Sequence, residues 1–276
     1  MTRRPGRILG RIVLYLCLAG VAVWCLFPLY NIALNSFKDT REVYQPGLLW
    51  VTPKLDNYVK VLVDRGVWRY MLNSAYIALV STAAAVVIGS LIAYGLSRTP
   101  RLKGRDSILR GVLTVRQIPR IALVLPFFML GFFTGLLDTR LLLIVIYLTF
   151  NMPLVIWMTK SFFDTIPVSI EEAALLDGCT RIGILFRIVL PLAVPGLIAT
   201  SVLCFSYSWN EFVYALLLTS VRAKTMPTVI AEFVTQSGVE WGQMSAVGVL
   251  TVLPILVLAV VYRRYFVQGF SLGASK

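Results

Sequence analysis

Glu171 to Pro191 reads EEAALLDGCTRIGILFRIVLP, the longest polar-bearing interval in the second half of an otherwise mostly apolar chain. Glu172-Ala173-Ala174 is followed, with three residues between, by Gly178 and, with nine more between, by Ile188-Val189-Leu190-Pro191. This pattern predicts two short helices hinged at a glycine. Ser169 can cap the first helix, with Glu172 three positions on closing a capping box. Asp177-Gly178 ends it, because glycine takes the left-handed C-terminal conformation without a Cβ penalty. Thr180 can cap the second helix, and Pro191 and Pro195 mark the turn into the next apolar run. A helix-turn-helix unit on the water side of so apolar a chain is a handle for another protein.

Of the 276 residues, 58% are apolar and 14% charged, and the mean hydropathy is +0.80. That is too apolar for a soluble domain. The fold class it implies is an all-α membrane protein. Six spans are predicted, near 12–35, 70–96, 107–131, 140–160, 192–219 and 242–262. Each can reach the roughly 20 residues needed to cross a hydrocarbon core of about 30 Å. The formal charge of +13 could suggest nucleic acid, but its distribution decides against that partner.

Basic residues gather on one face. Arg3, Arg4, Arg7 and Arg11 precede the first span, and Arg98, Arg101, Lys103, Arg105 and Arg110 follow the second. Lys160, Arg181 and Arg187 stand in the long loop, and Arg263, Arg264 and Lys276 in the tail. The opposite face carries fewer, balanced by acids, so the loop and both termini are expected in the cytoplasm. The chain then divides into an N-terminus (1–11), a six-helix domain (12–262) enclosing the cytoplasmic loop 164–191 between helices 4 and 5, and a tail (263–276). The start resembles a signal peptide, but its apolar run continues past residue 30 without a clear cleavage site and reads as a retained helix. Phe27-Pro28 should kink that helix. The outside stretch 36–69 reads mostly as a connecting loop.

The loop resembles the EAA loop of permease subunits in binding-protein-dependent ABC importers. Its flanks are similar to the carbohydrate, maltose-type branch: Gly135-Leu136-Leu137-Asp138-Thr139, Phe162-Phe163-Asp164-Thr165-Ile166-Pro167 and Trp209-Asn210-Glu211-Phe212. The likeness runs from Asn35-Ser36-Phe37-Lys38 to Gln268-Gly269 and Gly273-Ala274. It implies half of a sugar-translocation pore in a prokaryotic plasma (inner) membrane. The other half would be a second homologous permease, with two ATP-binding subunits and an extracytoplasmic solute-binding protein. Glu171, Glu172, Ala173, Ala174, Asp177 and Gly178 would then couple to the ATPases. Glu172 would supply a salt bridge, the alanines close packing and Gly178 the turn; folding the loop is the competing role.

Candidate pore residues lie in three spans. Arg116-Gln117-Ile118-Pro119-Arg120 sits in an apolar context, and Pro119 should break the helix there. Charges at membrane depth usually face a bundle interior or an aqueous path. These arginines can bind substrate hydroxyls or an anionic group, form a structural ion pair, or snorkel to a surface. Tyr147, Asn151-Met152-Pro153 and Trp157 follow in the fourth span; Asn151 is the pore candidate, and the aromatics suit core or interface. Ser206, Tyr207, Ser208, Trp209, Asn210, Glu211 and Tyr214 give the fifth span a polar stripe, with Tyr207, Trp209, Asn210 and Glu211 as pore candidates. Glu211 is the natural partner for Arg116 or Arg120. Ala85, Gly89 and Ala93, spaced by four, suit close helix packing.

Absences narrow the function. Without a histidine there is no histidine catalysis or histidine metal site. Cys17, Cys25, Cys179 and Cys204 lack metal-ligand spacing. The only lysine-Ser/Thr pairs, Lys160-Ser161 and Lys224-Thr225, do not follow glycine, so no P-loop is present. The chain is therefore expected to hold no cofactor and no ATPase site; ATP and magnesium belong to partner subunits. The alternatives are an importer for an anionic or non-sugar solute, an ion-coupled secondary transporter, or, more remotely, a membrane-embedded enzyme.

Overall fold

The computed structural model describes residues 5–45, 47–235 and 238–265. Arg3, Arg4, Gln268-Gly269, Gly273-Ala274 and Lys276 lie outside the described residues. The chain separates into two compact parts, residues 1–67 with 230–252, and residues 68–229 with 253–276.

In the first part, α1 (Pro5–Ser36) runs unbroken through Pro28. Its spanning stretch, Gly10–Ser36, is 27 residues long, about 40 Å at helical rise, and the apolar window within it has no buried residue. A helix apolar on every side suits lipid. The segment after it is a small folded cap rather than a plain loop. Helix α2 (Thr40–Val43) starts at Asp39, whose backbone N–H donates to Glu42 Oε2 at 3.0 Å. Helix α3 (Asp56–Val59) continues as a π turn through Asp64. Asn57 Nδ2 donates to the carbonyls of Ser36 and Lys38 at 3.0 and 2.9 Å, pinning α3 to the end of α1. A two-residue ladder, β1 (Val234–Thr235) with β2 (Gly238–Val239), is the one β pairing among the described residues.

The second part holds the bundle. Helix α4 (Trp68–Arg98) packs most extensively on α7 (Arg140–Thr165), and α10 (Leu190–Trp209) packs on both. Gly89 makes the α4–α7 approach possible. A Cβ there would stand 2.6 Å from Val155 Cγ1, with Ala85 and Ala93 fully buried on the same face. The small-residue stripe is packing, and α7 is the central helix, half of its apolar window being buried.

Two predicted spans are not single helices. The third is α5 (Arg105–Val115) and α6 (Val124–Thr134), the second preceded by a 3-10 turn at Arg120–Leu123, with a 94° bend between them. Among the described residues, five helices are long and apolar enough to cross, six if the bent pair counts as one. The fifth, predicted over 192–219, ends at Trp209 and restarts as α11 (Val213–Leu218). Helix α12 (Met226–Val229) follows in the next loop. Helix α13 (Trp241–Val261) is the last span, and its residues divide between the two parts.

The loop between α7 and α10 also differs from expectation at both ends. Pro167, not Ser169, stands at the N-cap of α8 (Val168–Leu176), and no side chain caps it. Ser169 falls inside the first turn because Pro167 already stops α7 and starts the next helix. At the far end, α9 (Arg181–Ile184) passes through a π turn (Leu185–Val189) straight into α10. Pro191 sits in the first turn of α10, directly after the π turn, and the chain stays helical there rather than turning.

Candidate functional site

The breaks in the third and fifth spans meet at one polar pocket of about 80 Å³. In the third, Pro119 has no N–H to donate and disfavours helix at Ile118. Its own backbone is extended (φ −57°, ψ 127°), and Gln117 N–H closes a turn on the Thr114 carbonyl at 2.9 Å. In the fifth, Asn210 ends α10, its Nδ2 donating back to the Ser206 carbonyl at 2.9 Å.

Glu211 restarts the helix. Its buried carboxylate accepts backbone N–H groups of Val213, Tyr214 and Ala215 at 3.1 to 3.3 Å, and the Tyr147 hydroxyl donates to it at 3.1 Å. These are the first N–H groups of α11, which have no carbonyl partner within the helix. The Tyr214 hydroxyl donates to the Arg120 carbonyl at 2.9 Å and so ties one break to the other. Arg120 Nη1 lies 3.8 Å from Glu211 Oε1, while Arg116 stands over the Tyr207 ring, 5.6 Å from its centre. The partner of Glu211 is therefore Arg120.

Arg116, Arg120, Asn151, Tyr207 and Glu211 line this pocket, joined by Tyr147 and Ser208. Asn151 Nδ2 donates to Ser208 Oγ at 2.8 Å. Tyr147 and Asn151 lie seven and eleven residues into α7, about 10 and 17 Å along a helix of 26 residues, hence near its middle. Three expected residues are not part of it. Gln117 and Asn210 are exposed outside it, and Trp209 is buried against Phe205, ring centres 5.7 Å apart. Tyr147 reads in sequence as core or interface; its four-residue spacing from Asn151 is the signal that places both on one face.

The loop between α7 and α10 forms a second constellation. Helix α8 ends in a Schellman motif: Cys179 N–H donates to the Ala174 carbonyl at 3.0 Å and Gly178 N–H to that of Leu175 at 3.1 Å, with Gly178 at φ +84°. Thr180 caps α9, its side chain accepting Gly183 N–H at 3.1 Å. Glu171 and Ala174 face inward. Arg98 Nε donates to Glu171 Oε1 at 2.6 Å, the Tyr94 hydroxyl to Oε2 at 2.7 Å, and Arg98 Nη2 to the Ile166 carbonyl at 3.2 Å. Ala174 joins a core with Ala93, Phe163, Ile184 and Val189, which fuses α4, α7, α8 and the start of the fifth span. Glu172, Ala173, Asp177 and Gly178 face out, beside Leu176 at 90% and Ile182 at 72% exposure.

The family described as binding-protein-dependent transport system inner membrane component matches residues 85–272, a stretch that contains both constellations. The chain belongs to that family. It is a membrane-spanning permease, a transport component. It is 36% identical over 273 residues to the trehalose/maltose transport system permease protein MalG of Thermococcus litoralis, covering 98% of each chain. Identity to the sulfoquinovosyl glycerol transport system permease protein SmoH of Agrobacterium fabrum is 35%, over 91% of this chain and 89% of that one. Among solved structures, a chain of a bacterial ABC transporter involved in the import of the acidic polysaccharide alginate superposes with a TM-score of 0.79 at 25% identity. That match covers 96% of this permease and 99% of the other chain.

Proposed function

We propose that this permease forms half of the translocation path of an ATP-driven importer for a sugar or sugar derivative. A second permease supplies the other half, two ATP-binding subunits holding ATP and magnesium supply the energy, and an extracytoplasmic binding protein delivers the cargo. Several relatives carry names of sugar systems, from trehalose and maltose to arabinooligosaccharides and diacetylchitobiose.

The observation that carries the reading is the two-faced α8–α9 loop. Its inner face is locked to α4 and α7 through Glu171, Arg98 and Ala174, so a push on the loop moves the bundle as one block. Its outer face presents Leu176 and Ile182 among Glu172, Asp177 and Arg181, an apolar knob ringed by charge. Exposed apolar groups rimmed by polar ones mark protein contacts. In this account Glu172 pairs with a basic residue of the ATPase, and Ala173 leaves room for close approach. ATP-driven closure pulls the loop, and the two helix breaks let the pocket wall change shape between inward- and outward-facing states. ATP and cargo bind those states unequally, as coupling requires. Both termini and the loop lie in the cytoplasm, as the basic residues around them favour.

The test is binding-protein-stimulated ATP hydrolysis in the purified complex, compared between wild type and a Leu176→Asp, Ile182→Asp double variant. Loss of stimulation with loss of the ATPase from the complex supports the reading. Full stimulation in the double variant sinks it.

A further inference from the structure

The polar pocket holds more positive charge than its own residues offset. Among the described residues Arg116 joins no ion pair, and its guanidinium lies over the Tyr207 ring, 5.6 Å from its centre. Arg120 faces Glu211 at 3.8 Å, but that carboxylate already accepts three backbone N–H groups and the Tyr147 hydroxyl. Two guanidiniums thus share one carboxylate, a net charge of about +1 at the level of the middle of α7. An arginine at membrane depth is costly, and an apolar residue at 116 would avoid that cost. No ion pair among the described residues offsets the Arg116 charge beyond its contact with the Tyr207 ring, so its counter-charge lies in what enters the pocket.

Size limits what that is. A cavity of about 80 Å³ is far below the several hundred Å³ of a site that encloses a drug-sized ligand. It suits a substituent rather than a sugar ring. A planar guanidinium pairs two parallel N–H groups with two oxygens of one anionic group. Asn151 and Ser208 already bond to each other, so they brace the wall.

We propose that this pocket is an anion subsite: Arg116 receives a carboxylate or sulfonate carried by the sugar while the ring stays in the wider path. This rests on the sugar-importer reading and sharpens it to an acidic sugar. A site built to pair a charge rejects the analogue without it, because its own cation is then left unpaired.

The experiment uses the assembled complex in detergent without binding protein. Two probes, methyl β-D-glucopyranoside and its uronate, are titrated by saturation-transfer NMR. The uronate is expected to bind about tenfold more tightly or better, to lose that advantage as salt rises, and to lose it in Arg116→Gln. Arg116→Lys should keep part of it. Equal binding of the two probes, or a preference that survives Arg116→Gln, overturns the proposal. So does failure of Arg116→Gln to assemble with the second permease, which would place the missing carboxylate across that interface. ATP hydrolysis stimulated by loaded binding protein is measured in the same preparation. Its absence would count against the importer reading itself, whatever the probes do.

Discussion

Glu171 and Arg98 close a nearly buried ion pair, Nε to Oε1 2.6 Å, between the loop helix α8 and the C-terminal end of α4. Tyr94, one turn before Arg98, takes the second carboxylate oxygen. Glu171 is therefore an anchor, and the adjacent Glu172 is exposed, the residue that the proposed function assigns to a partner. Removing one member of such a pair strands a buried charge and costs about 3–5 kcal/mol. Glu171→Gln should lower the thermal midpoint of the purified complex clearly, and Tyr94→Phe by the smaller amount of one hydrogen bond, about 1 kcal/mol. Glu172→Gln should leave that midpoint nearly unchanged while reducing ATPase stimulation. Equal destabilisation by the two glutamate variants would contradict the assignment.

Gly178 has open space around its missing Cβ but a φ of +84°, so substitution there meets backbone strain and no steric clash. An alanine at this φ costs about 1–2 kcal/mol, and Asn, which tolerates the left-handed region better, should cost less. Gly178→Ala is expected to insert normally while reducing uptake per ATP hydrolysed, with Gly178→Asn in between. Loss of membrane insertion in Gly178→Ala would assign the glycine to folding alone.

Much of this architecture is legible in sequence because it is local. The Asp177-Gly178 stop, the Thr180 cap and the Pro119 break each depend on residues within four positions. Which glutamate faces inward is not local: it depends on Arg98, 73 residues away. The same holds for Glu211. In sequence it is a polar residue in a stripe, and only the fold shows its carboxylate serving as the cap that starts α11. The break before α11 carries no proline and so reads as a continuous helix. Asp138 appears only as part of a family-like motif, since its partners lie more than 80 residues on.

Asp138 holds the loop after α11. Its carboxylate accepts N–H groups of Ser220, Val221, Arg222 and Ala223, at 3.0 to 3.2 Å, and the Ser220 hydroxyl. Partial burial pushes its pKa up, but the four backbone donors outweigh that and hold it well below the usual carboxylate range. A depressed folded-state pKa adds stability that is complete above the unfolded value of about 3.9 and fades as pH falls from there toward the folded value. Amide exchange over residues 219–225 should therefore be slow and, after correction for intrinsic rates, flat from neutral pH down to about 5. It should accelerate in acid below about 4. Asp138→Asn should open the loop at neutral pH, at a cost of about 2 kcal/mol. An unchanged exchange rate in Asp138→Asn would refute this account of the loop.

Glu211→Gln keeps one acceptor oxygen but loses the charge that faces Arg120. The start of α11 should loosen, and uptake should fall more than stability, because the change sits in the pocket wall. If transport, assembly and thermal midpoint all stay at wild-type values, the Arg120–Glu211 pair has no functional weight.

The outer face of α8–α9, proposed as the seat of an ATPase, is open to site-directed crosslinking. Leu176→Cys, in a chain whose Cys17, Cys25, Cys179 and Cys204 are replaced by serine, would be labelled with a thiol-reactive photo-crosslinker and irradiated in membranes containing the whole system. The account predicts a crosslink to an ATP-binding subunit, whose yield changes when ATP and loaded binding protein are added. A chain that purifies alone, with no ATPase captured from position 176 and with uptake indifferent to ATP, would contradict it.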